Sequence, residues 1–177
     1  RPQDVFRDIA DRGAIRGDVL VPGGGAAENA LYIAGKGHRV IGVDKVEKAI
    51  VRAREKAAAR KVDATFLVGD AMDSPGIGRT FETVIDSGLF HVFDDDERAC
   101  FVAGLRRLVH PGGTHYVLCF SDSETRPEGP RRVSEQEIRD AFADGWTVRR
   151  IMPARLESHA HEGGARAWFA TIGRTDS

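Results

Sequence analysis

The chain has 177 residues, 26 Lys and Arg against 27 Asp and Glu, a formal net charge of −1 and 41% hydrophobic residues. That length suits one core burying roughly two-thirds of the unfolded surface, so residues 1–177 are expected to form a single domain. The near balance of charge leaves no basic patch for nucleic acid or an anionic membrane, and no apolar run reaches the ~20 residues of a bilayer span.

In chain order, Val5, Phe6, Ile9 and Ala10 share one helical face, and Gly13 is placed to stop that helix. Asp18 to Val21 reads as a first strand, followed by Gly23-Gly24-Gly25, a helix from Glu28 to Ala34 ended by Gly35 or Gly37, and a second strand from Arg39 to Asp44. This is a nucleotide-type βαβ unit. Asp44 lies 21 residues after Gly23, near the usual ~20-residue spacing of a ribose-binding acid. Glu28 falls in the first turn of the helix, where a pyrophosphate would sit and would be repelled. A ligand with an adenosine ribose, no phosphate and its own positive charge fits better, and S-adenosylmethionine (SAM) is such a molecule.

Val46, Ala49, Ile50, Ala53 and Ala57 recur at helical spacing and predict an amphipathic crossover helix. Ala64 to Val68 is expected as a third strand leading into Gly69-Asp70-Ala71-Met72, and Thr83 to Ile85 as a fourth leading into Asp86-Ser87-Gly88. Ligands of parallel α/β sheets lie beyond the carboxyl ends of the strands, so Asp44, Asp70 and Asp86 are expected to converge on one edge.

Asp94 with Glu97, and Ser134 with Glu137, match the capping-box pattern, each opening a helix; the first buries Phe101, Leu105 and Leu108. Pro111-Gly112-Gly113 predicts a turn into an apolar strand from Thr114 to Phe120. Ser121 to Arg132 is a loop by composition and the foremost lid candidate. Trp146 to Met152 and Ala165 to Ile172 read as a terminal pair of strands around an Ala/His/Gly loop. Alternating elements closed by a hairpin imply a mostly parallel three-layer α/β sandwich. Cys100 and Cys119 fall in apolar contexts and are expected as buried thiols of a reducing compartment, the cytoplasm by default, because no signal-peptide pattern is present.

Glu28-Asn29-Ala30-Leu31-Tyr32, Gly42-Val43-Asp44, Gly69-Asp70-Ala71, Val84 through His91 and Leu105 through Gly113 together resemble the class I SAM-dependent methyltransferases, in particular the small bacterial thiopurine- and tellurite-resistance type. The resemblance covers nearly the whole chain. It implies a Rossmann-like, seven-stranded, mostly parallel sheet with an antiparallel last strand, Asp44 on the ribose hydroxyls, Asp70 on the adenine amino group, and Gly23 and Gly25 beside the methionine portion. Glu28, Asn29, Lys45, Ala71 and Asp86 complete the expected cofactor set. In that family a short segment ahead of such a start closes over the cofactor, and this sequence opens at Arg1 without it. Two positions depart from the family pattern: Val21 stands where an acid is usual, and Ala27 where glycine is usual. Loss of the acid implies cofactor affinity weaker by about 1.5–3 kcal/mol.

Methyl transfer from a sulfonium is an in-line displacement that needs positioning and dryness rather than a protein nucleophile. A base matters only where the acceptor must lose a proton, and His91, next to the fourth strand's acid, is the first candidate, with orienting or packing duty as its other reading. Ser87 and Asp86 lie at the same edge, where a structural role for Asp86 is the preferred reading beside its place in the cofactor set; Tyr116 and Cys119 read as sheet residues. His159, His161 and Glu162 are of metal-ligand type, but without further ligands at typical spacing they read as solvated polar residues and no metal is expected. Ser87 with His91 lacks a nucleophile-elbow pattern and so does not make a hydrolase. The expected activity is methyl transfer to oxygen, sulfur or nitrogen of a small, lipophilic or heteroaromatic molecule. A SAM-binding module without transfer is the alternative, and a nicotinamide-dependent oxidoreductase, which Glu28 opposes, is the lesser one.

Overall fold

The computed structural model describes residues 1–23 and 27–175. The glycine-loop residues Gly24, Gly25 and Ala26 lie outside them, and with them the expected role of Gly25. The helices are α1 (Asp4–Asp11), α2 (Ala27–Gly35), α3 (Glu47–Arg60), α4 (Ser74–Ile77), α5 (Asp95–Leu108) and α6 (Glu135–Ala141), with one 3-10 turn over Phe90–Val92. The strands are β1 (Val19–Pro22), β2 (Val40–Asp44), β3 (Ala64–Val68), β4 (Phe81–Ser87), β5 (Val109–Phe120), β6 (Trp146–Ser158) and β7 (His161–Arg174).

The strands form one seven-stranded sheet in the order β3-β2-β1-β4-β5-β7-β6. Pairing is parallel from β3 through β5, and β7 runs antiparallel to both β5 and β6. The order reverses between β1 and β4, the switch point where a doubly wound sheet opens a crevice for a ligand. Every residue of β1 is buried, which fits a central parallel strand covered on both faces. Alternation along β1 sends Val19 and Val21 into an apolar cluster with Phe6, Ile9, Leu31 and Ile50, and Leu20 into a second with Phe90, Phe101, Leu105 and Phe142.

Both capping boxes form: Asp94 accepts from the Glu97 N–H and Ser134 from the Glu137 N–H, while each Glu reaches back to the cap N–H. The burial of Phe101, Leu105 and Leu108 follows from that start. Four expectations are corrected. The Pro111-Gly112-Gly113 turn is a bulge inside β5, where the register on β4 jumps from Phe81↔Val109 to Thr83↔Thr114, because positive φ at Gly112 absorbs the extra residues. The Ala/His/Gly loop is mostly strand, since cross-strand pairing continues out to Ser158↔His161. Val46 stands ahead of α3 and is 58% exposed rather than part of its buried stripe. Cys100 is exposed; Cys119 alone of the two cysteines is buried.

Candidate functional site

A cavity of about 370 Å³ opens beyond the ends of β1, β2 and β3, and Gly23, Asp44, Lys45, Asp70 and Ala71 are among its lining residues. The carboxylates of Asp44 and Asp70 are fixed by their own turns. Asp44 Oδ1 accepts the Val46 N–H at 2.9 Å, and Asp70 Oδ1 accepts the Met72 N–H at 2.8 Å. Lys45 Nζ lies 3.3 Å from Asp70 Oδ2. Val46 and Val92, each 58% exposed, face the same cavity with Leu89 and Phe93. Large apolar side chains left open beside two carboxylates make a slot for a flat aromatic group carrying hydrogen-bond donors. Gly23 has φ +90°, and a side chain there would place Cβ 3.3 Å from Leu89; the bare backbone keeps the slot open. This set fits the adenosine half of SAM.

A larger cavity, about 1080 Å³, adjoins it: Ser87, Gly88 and His91 line the larger one, and Leu89 and Val92 the smaller. Phe120 and Leu156, both buried, contribute its apolar surface. His91 is 5% exposed, and its Nδ1 accepts the Phe120 N–H at 2.9 Å. Burial pushes its pKa down to about 4, with a smaller contribution from the Arg132 cation. With Nδ1 accepting the Phe120 N–H, that nitrogen is engaged within the protein, the arrangement an orienting or packing role for His91 calls for.

The segment 121–132, legible in sequence only as a loop, is tied down rather than hung as a lid. Arg132 donates to the carbonyls of Glu124, Arg126, Glu128 and Pro130, and its guanidinium lies 5.1 Å from the Phe120 ring centroid. The buried Glu124 carboxylate accepts from Arg126 Nε at 2.7 Å and from the Arg166 N–H of β7 at 2.7 Å, and these bonds hold its pKa well below the carboxylate range. His161 is only 2% exposed, with Nδ1 3.2 Å from Ser158 Oγ and Nε2 3.1 Å from the Glu128 carbonyl. It joins hairpin to loop instead of facing solvent as its sequence context suggested. Among the described residues, no group of His, Cys, Asp and Glu is placed to hold a metal.

Of the expected cofactor residues, Gly23, Asp44, Lys45, Asp70 and Ala71 share the smaller cavity. Three others are placed differently. Asp86 is fully buried, with its carboxylate accepting the Leu89 and Phe90 N–H groups at 2.7 and 3.0 Å, so it caps the 3-10 turn instead of meeting the cofactor. Asn29 is buried and accepts the Gln3 N–H at 2.8 Å, anchoring the chain's first residues. Glu28 borders the larger cavity, and its carboxylate is held by Lys56 at 2.7 Å and Arg60 at 3.1 Å from α3. Those cations hold its pKa low, Lys56 foremost, and offset the negative charge that was expected to repel phosphate.

Sequence reasoning missed Gln3, Arg132, Val46 and Val92. Gln3 clasps the edge of β6, its amide donating to the Glu157 carbonyl at 3.3 Å and accepting the Glu157 N–H at 2.8 Å. Nothing local marks a contact between residues 154 apart in sequence. Val92 has a weak signal, an apolar residue within the Leu89-Phe90-His91-Val92 run just past a strand end.

The doubly wound sheet, the acid-flanked slot at its switch point and the adjoining cavity define a Rossmann-like, SAM-dependent methyltransferase. The family model for a methyltransferase domain matches residues 19–113, and the chain belongs to that family. A 2-heptyl-1-hydroxyquinolin-4(1H)-one methyltransferase of Mycobacteroides abscessus is 37% identical over 172 residues, covering 94% of this chain and 76% of its own. A solved structure from work on conversion of a disulfide bond into a thioacetal group during echinomycin biosynthesis superposes with TM-score 0.86 and 33% identity, covering 99% of this chain and 83% of the other. A SAM-dependent methyltransferase of Methanosarcina mazei superposes with TM-score 0.79 at 18% identity, covering 94% and 97%. The cofactor is SAM, and among the described residues no helix is long and apolar enough to cross a membrane.

Proposed function

We propose that this methyltransferase alkylates oxygen, sulfur or nitrogen on a small, lipophilic or heteroaromatic acceptor held in the larger cavity. The observation that carries this is the junction of the two cavities at Ser87-Gly88-Leu89. Asp44 is assigned the ribose hydroxyls and Asp70 the adenine amino group, with Val46, Ala71, Leu89 and Val92 around the ring. SAM supplies an electrophilic methyl on a sulfonium. The chain's part is to hold the acceptor against it and keep water away, and such positioning contributes about 7–11 kcal/mol in well-oriented pairs.

The larger cavity suits a flat acceptor because its apolar surface is an aromatic series: His91 and Phe120 meet edge to face at 5.1 Å, and Phe120 and His161 at 5.3 Å. The Mycobacteroides abscessus relative is named for a hydroxyquinolone, which makes 1-hydroxyquinolin-4-ones the first acceptors to try. His91 is assigned to orient the Phe120 strand end. Free thiols at Cys100 and Cys119 fit a reducing compartment such as the cytoplasm.

Calorimetric titration with SAM, S-adenosylhomocysteine and NADH, followed by mass spectrometry over an acceptor panel, tests this. Saturable S-adenosylhomocysteine binding with a gain of about 14 Da on a hydroxyl- or thiol-bearing heteroaromatic, the mass of one methyl replacing one proton, is the expected result. Cofactor binding with no product across the panel would favour a binding module.

A further inference from the structure

Away from the two cavities of the candidate site, and sharing no lining residue with them, a groove of about 710 Å³ runs between α5 and α6. Arg98 and Glu137 tie its walls together at 3.1 Å, and Arg106 Nη1 donates to the Gly145 carbonyl at 2.8 Å. The two helices therefore lie side by side in the same direction, and the groove is preformed.

Its α5 wall carries Asp95, Ala99, Val102 and Arg106, spaced i, i+4, i+7 and i+11, which is a single stripe along the helix. Asp95 and Arg106 stand equally far from the midpoint of that stripe, and so do Ala99 and Val102. A stripe with this symmetry matches itself when reversed. An identical helix laid antiparallel would set the partner's Arg106 against Asp95 and the partner's Val102 against Ala99, and each contact would recur on the other side of a two-fold axis. Ala99 and Ala103 are exposed and small, so two helix backbones could pack at the close end of the usual 8–10 Å separation, about 8 Å. The charges of the whole helix agree with that reversal: Asp95, Asp96 and Glu97 fill its first turn, Arg106 and Arg107 its last, and antiparallel dipoles attract.

The second wall repeats the match. Arg131, with Nη2 3.0 Å from Asp95 Oδ1, stands at the acidic end of α5, whereas Asp144, next to Gly145, stands at the basic end. Reversal brings Asp144 to the side of the partner's Arg131. Asp140 is engaged at home, accepting the Gln136 amide at 2.8 Å.

We propose that α5 and the groove beside it form the contact surface of a symmetric homodimer, with α5 antiparallel to its copy. A surface built on one helix and its neighbour falls at the low end of specific interfaces, so the dissociation constant should lie in the range of about 1–100 μM.

Sedimentation velocity of the full chain between about 1 and 500 μM, a span that brackets such a constant, should show the mass rising from monomer to dimer and no further. Raising the salt from about 0.05 to 0.5 M should weaken the dimer severalfold, because the contacts at both ends are ionic. Asp95→Arg and Arg106→Asp each place like charges together at both ends, and each alone should stay monomeric. Mixed in equal amounts they should pair, since each variant restores the contacts that the other lost. Ala99→Glu keeps both charges and the Gly145 bond, and it should weaken the dimer at least tenfold while its thermal melt stays near the parent's. A parent chain that remains monomeric throughout, one that grows past a dimer, a dimer that Ala99→Glu leaves intact, or folded single variants that do not pair on mixing would overturn the proposal. Should Arg106→Asp fail to fold, Ala99→Glu decides alone.

Discussion

Asp44 and Asp70 close adjacent turns in the same way: each gives Oδ1 to the N–H two residues on, Val46 at 2.9 Å and Met72 at 2.8 Å. Strands β2 and β3 bring them together through the Asp44↔Val68 register and the Gly69 N–H on the Asp44 carbonyl at 2.9 Å. One oxygen of each acid thus sets the turn, and the other is left to face the cavity or Lys45.

Asp44→Ala is expected to weaken S-adenosylhomocysteine binding at least tenfold, the consequence of losing a charged hydrogen bond of about 1.5–3 kcal/mol. Isothermal titration gives the answer directly. A folded variant with the parental dissociation constant would remove Asp44 from the cofactor site.

Asp86 predicts a pH effect on stability. Burial raises its pKa from 3.8 to about 7, against the lowering by two backbone N–H bonds. The folded chain therefore keeps a proton that the unfolded chain has lost, so this contribution is full below pH 3.8 and is lost as pH rises through about 7. Asp86→Asn cannot ionise; relative to the parent it should gain stability between about pH 4 and 7, on top of a constant penalty of about 1–3 kcal/mol for one N–H left facing an amide. Urea unfolding of both proteins across that range checks the slope. A difference independent of pH would refute it.

Arg132→Ala should free the 121–132 segment, because four carbonyls lose their shared donor. The expected readouts are faster limited proteolysis within that segment and a melting temperature lower by about 2–4 °C for each kcal/mol lost. KM for the acceptor should rise more than KM for SAM, since the loop borders only the larger cavity through Gly129 and Pro130. Arg132→Lys, with its charge but no fork, should fall between.

Val21 is fully buried in the apolar cluster beside α2 and α3, and with Ala27 and Asp44 it lines a small cavity of about 50 Å³. Val21→Asp with Ala27→Gly should tighten SAM binding by about ten- to a hundredfold, as the missing family acid implies. It should also lower the ligand-free melting temperature by about 4–8 °C, because a carboxylate is buried among Val, Ile and Phe at a cost of at least about 2 kcal/mol. Calorimetry and thermal melts with and without SAM separate the two effects. Destabilisation without tighter binding would mean that Val21 serves the core alone.

Local chemistry wrote much of this fold into the sequence: the period-2 and helical apolar patterns, the capping boxes at Asp94 and Ser134, and the strand-end acids Asp44 and Asp70 all act within a few residues of chain and are correctly placed by it. Tertiary structure alone decided the rest. Asp86 shares the strand-end pattern of Asp44 and Asp70, yet β4 lies at the sheet's centre and buries it, so it caps a turn. Val46 matches a buried stripe in spacing but precedes the first turn of α3 and opens onto the smaller cavity. His91 reads from sequence as a base or as an orienting residue, and only the fold brings the Phe120 N–H of β5, 29 residues away, onto its Nδ1. Such roles depend on dielectric, burial and hydrogen-bond partners contributed by distant segments, and those come into being only when the chain has closed around them.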